Sequence, residues 1–120
     1  MRIDVIHIKD EHRAQGKLVY IGRSAKRFHF GNPFTHLQNT LASVVVKDRD
    51  TAIAMYSDWL SGKIDIETER RDWILQQIDK FAECGESLTL ECFCKPAPCH
   101  GDILKKLILE KRYGTQEAED

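Results

Sequence analysis

The stretch Ser87-Leu-Thr-Leu-Glu-Cys-Phe-Cys-Lys-Pro-Ala-Pro-Cys-His-Gly-Asp-Ile-Leu104 decides the reading of this chain. From Ser87 to Cys94 the residues alternate strictly. Leu88, Leu90, Cys92 and Cys94 fall on one face, and Thr89, Glu91 and Phe93 on the other. That period of two predicts a strand. A helix then starts near Pro98, since proline is favoured in a first turn. It runs to about Arg112, with Ile103, Leu104, Leu107 and Ile108 facing inward. A strand feeding a helix through a short loop is half of an α/β unit. In open α/β sheets, ligands sit beyond the carboxyl ends of the strands. The Cys94 to His100 loop is expected at such an end.

Working outward, the remaining segments fit the same architecture. Arg2 to Ile8 and Lys17 to Ile21 are short and rich in β-branched residues, so each reads as a strand. Lys9 to Gly16 between them reads as a turn. Gly22 to Phe34 is a long, irregular, basic loop, and Leu41 to Val46 holds a further short strand. Asp48 caps a helix with Ala52, Ile53, Tyr56, Trp59 and Leu60 on one face, and Gly62 stops it. A second helix runs from about Thr68 to Cys84. It turns Trp73, Ile74, Ile78, Phe81 and Ala82 inward and ends at Gly85. The expectation is a single Rossmann-like α/β domain over residues 1–113, a small, mainly parallel sheet flanked by helices. The acidic stretch 114–120 reads as a disordered tail.

Composition bounds the function. The chain has 120 residues, enough for one domain, and 18 Lys plus Arg against 19 Asp plus Glu give a net charge of -1. That balance argues against an extended nucleic-acid surface. No apolar run approaches the roughly 18 residues needed to span a bilayer. The N-terminus lacks an apolar signal-peptide core. A cytoplasmic protein without membrane partners is expected. The charge is nevertheless uneven. His12 to His36 carries five Lys or Arg and no acid, while Asp48 to Asp72 carries seven acids against four bases. A local basic loop in a near-neutral protein suits a small anionic ligand better than a long polyanion.

Three of the four cysteines fall between Cys92 and Cys99, followed by His100. In a reducing compartment these are thiols first. Cys92, Cys94, Cys99 and His100 supply up to four soft ligands, which zinc accepts, though the spacing is not a common zinc spacing. A cysteine in the first turn of a helix has a favoured thiolate, strengthened by a protonated His100, and so suits a nucleophile. The free N–H groups at residues 99 to 102 also suit an anion, with Asp102 complementing the helix dipole. Plain core packing of Cys92 and Cys94 is the fourth reading.

The second constellation is Gly22-Arg23 followed by Gly31-Asn32-Pro33-Phe34. Gly31 and Asn32 tolerate unusual backbone, and Pro33 fixes the exit. Arg23 or Lys26 suits a phosphate, and a base or sugar can stack on a phenylalanine. No P-loop, Gly-x-Gly-x-x-Gly, Cys-x-x-Cys, zinc-deaminase, His-Glu-x-x-His or Gly-x-Ser-x-Gly pattern occurs.

Taken together, Gly22-Arg23, Gly31-Asn32-Pro33-Phe34 and Cys92, Cys94, Pro96, Cys99, His100 resemble the domain of unknown function 4326 family of bacteria and phages. The likeness spans about residues 2 to 112. It implies a Rossmann-like fold, a pocket shared by both boxes, and no assigned activity. The resulting expectation is a pocket for a phosphorylated, nucleotide-like ligand held by Gly22, Arg23, Gly31, Asn32, Pro33, Phe34 and Gly101. If a glycosidic or phosphate bond is cleaved or transferred, Cys99, His100 and Asp102 are the catalytic candidates. Two alternatives accompany it: a non-catalytic, phage-type protein that sequesters a nucleotide, and a zinc-stabilised interaction module on Cys92, Cys94, Cys99 and His100.

Overall fold

The computed structural model describes residues 1–38 and 41–114. Among these residues, five strands and three α-helices follow in the order β1 (Ile3–His7), β2 (Lys17–Tyr20), β3 (Phe34–Thr35), β4 (Val44–Val45), α1 (Arg49–Leu60), α2 (Thr68–Cys84), β5 (Leu88–Cys92) and α3 (His100–Tyr113). The mixed α/β class and the small parallel sheet are as expected. The main sheet has the order β1-β5-β2, and both edge strands run parallel to β5. The acidic tail falls, beyond Gly114, outside the described residues.

The last strand, β5, therefore lies in the middle. Its five residues are all buried, on both faces. The alternation that predicts a half-exposed strand is thus satisfied differently. Leu88, Leu90 and Cys92 face the helices. Thr89 and Glu91 lie under the β1–β2 connection, where the Thr89 hydroxyl accepts from Gln15 N–H (3.1 Å) and donates to the Gln15 carbonyl (2.8 Å). The strand ends at Cys92 rather than Cys94, because pairing partners run out there. His7 pairs with Cys92, Tyr20 with Glu91, and nothing beyond. Phe93 and Cys94 belong to the turn that follows, and Phe93 is 64% exposed.

The segment read as a turn, Lys9 to Gly16, begins with a 3-10 helix over Ile8–Arg13 that also takes in Ile8 from the end of the expected strand; it is started by His7, whose ring Nδ1 accepts from Lys9 N–H. Helix α1 begins as expected, with the Asp48 carboxylate accepting from Thr51 N–H at 2.7 Å. Helix α2 ends on Gly85 in the left-handed region (φ 67). Helix α3 packs on β1 and β5 and is itself covered by α1 and α2. Gly101 makes that approach possible: a Cβ there would stand 2.7 Å from both Ile21 Cδ1 and Val5 Cγ1. Tyr56, Trp59, Ile74, Leu90, Leu104 and Ile108 fill the core, while Trp73, Ile103 and Leu107 are only partly buried.

Helix α3 begins at His100, two residues later than the proline suggests. Its cap is Cys99, in extended backbone, and Pro98 precedes the cap. The Asp102 carboxylate reaches back to accept the Cys99 N–H (3.1 Å), the arrangement of a capping box. That bond fixes where the helix starts.

Candidate functional site

Irregular backbone can be buried only if its polar groups find partners. The segment from His29 to Thr35 meets that demand without a break. The carbonyls of His29 and Gly31 accept from the Arg70 guanidinium (3.0 and 2.6 Å). That of Phe30 accepts from the Tyr56 hydroxyl (2.8 Å). Those of Asn32 and Phe34 accept from Arg23 Nε and Nη2 (2.9 and 3.0 Å). Those of Pro33 and Thr35 accept from the N–H groups of Val44 and Val46. Seven consecutive carbonyls are thus held by β2's exit, α1, α2 and the β4 region. The Asn32 side chain adds two further bonds, donating to the Ala52 carbonyl (2.9 Å) and accepting from Phe34 N–H (3.0 Å).

This rigid segment forms one wall of a cavity of about 320 Å³. Tyr20 and Gly22 at the end of β2 contribute, as do Cys92 and Phe93 at the end of β5. The cavity lies at the carboxyl ends of parallel strands, where α/β sheets place ligands. Both sequence boxes meet here. Gly22, Arg23, Asn32 and Phe34 line it on one side, and Cys92, Cys94, Cys99 and His100 on the other. Gly31, Pro33, Gly101 and Asp102 do not line it. Gly31 acts on the wall instead, since a Cβ there would come within 2.7 Å of Arg23 Cγ. Asp102 pairs outside the cavity with Lys95 (2.7 Å).

Among the described residues, the lining contains two arginines, Arg23 and Arg49, and no carboxylate. Arg49 was not legible as a site residue. One signal points to it in hindsight: a cation in the first turn of a helix opposes the helix dipole, so its place there calls for another reason. Its guanidinium leans across the opening towards the Pro98 carbonyl, 3.5 Å away. Tyr20 and Phe93 meet edge to face at 6.0 Å on the rim, and Leu37 and Leu41 are exposed beside it.

The three thiols form one group. Cys92 Sγ and Cys99 Sγ stand 3.5 Å apart, and Cys94 lines the same cavity beside them. Such a trio titrates as a unit. The two neighbouring S–H donors pull the Cys92 thiol far below its ordinary value, and sharing that charge pushes Cys94 and Cys99 up. Cys99, the sequence's candidate nucleophile, is therefore a thiol whose ionisation its neighbours oppose.

His100 is buried, and its Nε2 lies 2.6 Å from the Ile21 carbonyl, so Nε2 carries the proton and donates. Burial lowers its pKa to about 4, leaving a neutral ring at physiological pH. The expectation that a protonated His100 favours a thiolate at Cys99 is corrected accordingly. The N–H of Cys99 is corrected too: it is taken by Asp102 and is not free for an anion. Among the described residues, no group of three or more His, Cys, Asp or Glu side chains is arranged to hold a metal ion, so the zinc reading gains no support from the geometry. No described helix is long and apolar enough to cross a membrane.

Fold and site together define a small parallel α/β domain with a preformed cavity at its strands' carboxyl ends, joining a Gly-Asn-Pro-Phe wall to a cysteine-rich loop. The chain belongs to the family described as Domain of unknown function (DUF4326), which matches residues 6–110. No curated protein and no solved structure matches it.

Proposed function

We propose that this chain binds a small phosphorylated, nucleotide-like molecule in the cavity between the Gly-Asn-Pro-Phe wall and the cysteine loop. The observation that carries the reading is the charge of the lining: two guanidinium groups and, among the described residues, no carboxylate. A partly dehydrated site of one sign attracts its counter-charge strongly. The volume of about 320 Å³ falls at the small end of ligand pockets. The aromatic pair Tyr20 and Phe93 on the rim offers a base or sugar an edge to stack on. Binding without turnover is the form of this reading that the geometry supports best. Of the three catalytic candidates, Asp102 faces Lys95 outside the cavity, His100 is tied to Ile21, and the Cys99 thiol is held protonated.

Arg49 provides the test, because Arg23 does not. Removing Arg23 also removes the donors to Asn32 and Phe34 and so damages the wall itself. Native mass spectrometry against adenosine and guanosine mono- and diphosphates, with inorganic phosphate alongside, measures binding directly. One nucleotide per chain is expected. Arg49→Ala should weaken it about tenfold or more, the worth of one charge-assisted hydrogen bond, with the thermal transition unchanged. Absence of binding across the panel, or equal binding by Arg49→Ala, overturns the proposal.

A further inference from the structure

The sulfur cluster at the cavity floor is built for more than packing. Cys92 closes β5 and Cys99 caps α3, so two separate elements bring their sulfurs to 3.5 Å. A disulfide bond is about 2.05 Å long, so the two sulfurs need to close by only about 1.5 Å. Both are buried, with 1% and 2% exposure. Cys94, two residues after Cys92, lines the same cavity and is the partly exposed member. All three thiols are free and line the cavity, and of the three the partly exposed Cys94 is the one a solute can reach.

We propose that Cys92 and Cys99 are a reversible dithiol–disulfide pair, oxidised by a low-molecular-weight disulfide that reacts first at Cys94. The chemistry balances in three exchanges. Cys94 hands its proton to the Cys92 thiolate and attacks one sulfur of the small disulfide, forming a mixed disulfide and expelling one small thiolate, which takes up a proton from solvent. Cys99 then attacks the Cys94 sulfur, passing its own proton to the second small thiolate as that leaves as a thiol. Cys92 then attacks Cys99 and returns Cys94 to its thiol form. Two protein thiols have lost two protons and two electrons, and the small disulfide has become two thiols. Cys94 is unchanged and acts as a relay. Direct attack from outside on Cys92 or Cys99 is hindered by their burial, and rates of exchange depend on such access. This inference does not depend on which ligand the cavity binds.

Cys84 supplies an internal control. It is exposed at the end of α2 and does not line the cavity. The full chain is incubated, folded, with oxidised glutathione, then unfolded, alkylated and mapped by peptide mass spectrometry. The expected product carries a Cys92–Cys99 link, an alkylated Cys94 and glutathione on Cys84, and dithiothreitol reverses it. Cys94→Ser should slow the link by about tenfold or more, with an unchanged thermal transition. Three alkylated thiols in the cluster once Cys84 has fully reacted overturn the proposal. So does glutathione stalled on Cys94, or a final link that includes Cys94. Since the principal readout is on the unsubstituted chain, a poorly folded variant does not remove the test.

Discussion

The His100 ring is neutral because charging it would place a cation in the core against Tyr56, whose ring lies 5.1 Å away. A folded pKa of about 4 against about 6.5 in the unfolded chain has a definite sign. Between those values the unfolded chain takes up a proton that the folded one refuses. His100 therefore makes folding less favourable as pH falls from about 6.5 to 4, by up to about 1.4 kcal/mol per pH unit. Urea unfolding at a series of pH values should show that slope, and His100→Gln should flatten it. Glu91 has the opposite sign. It is buried in the central strand with one carboxylate oxygen unpartnered among the described residues, and burial together with Glu11 raises its pKa. A raised folded pKa contributes stability at acid pH that is lost as the group ionises. Glu91→Gln should accordingly stabilise the protein by about 1 kcal/mol near neutral pH, a gain that disappears on acidification.

At the scale of elements, Asn32 is the sharpest test of how the wall is made. Asn32→Ala removes two buried hydrogen bonds and leaves the Phe34 N–H without its side-chain partner. A loss of about 2–3 kcal/mol is expected, read as a lower urea midpoint at unchanged slope. The sequence shows the boundaries of α1 and α2 well, because Asp48, Gly62 and Gly85 act through local chemistry. It shows β5 as a strand but not as the central one, since burial of Thr89 and Glu91 depends on a connection packed from elsewhere. The start of α3 is misjudged because Pro98 gives a strong local signal, while the deciding bond is from the Cys99 N–H to Asp102. The two boxes are recognisable as patterns, yet their roles are not. Asn32 and Arg23 look like ligand contacts alone, whereas their partners make them parts of the wall as well, and Arg49 looks like one base among acids.

Across the whole molecule, stability should be uneven. β5 is paired on both sides and buried on both faces, whereas β3 and β4 form an isolated two-residue ribbon. Hydrogen exchange should show the slowest amides over Leu88–Cys92 and markedly faster ones at Val44–Val46. Equal protection in the two sheets would contradict this ordering of the fold.

The run of satisfied carbonyls from His29 to Thr35 has a consequence for how the cavity comes into being. Its donors belong to segments far apart in the chain: Arg23 before it, Tyr56 and Arg70 well after it. No local piece of sequence can assemble that wall alone. A fragment that keeps the strands but lacks α2 has no Arg70 to hold the His29 and Gly31 carbonyls. The cavity is thus an all-or-nothing property of the finished globule, so under the proposed function ligand capture would serve as a direct count of correctly folded molecules.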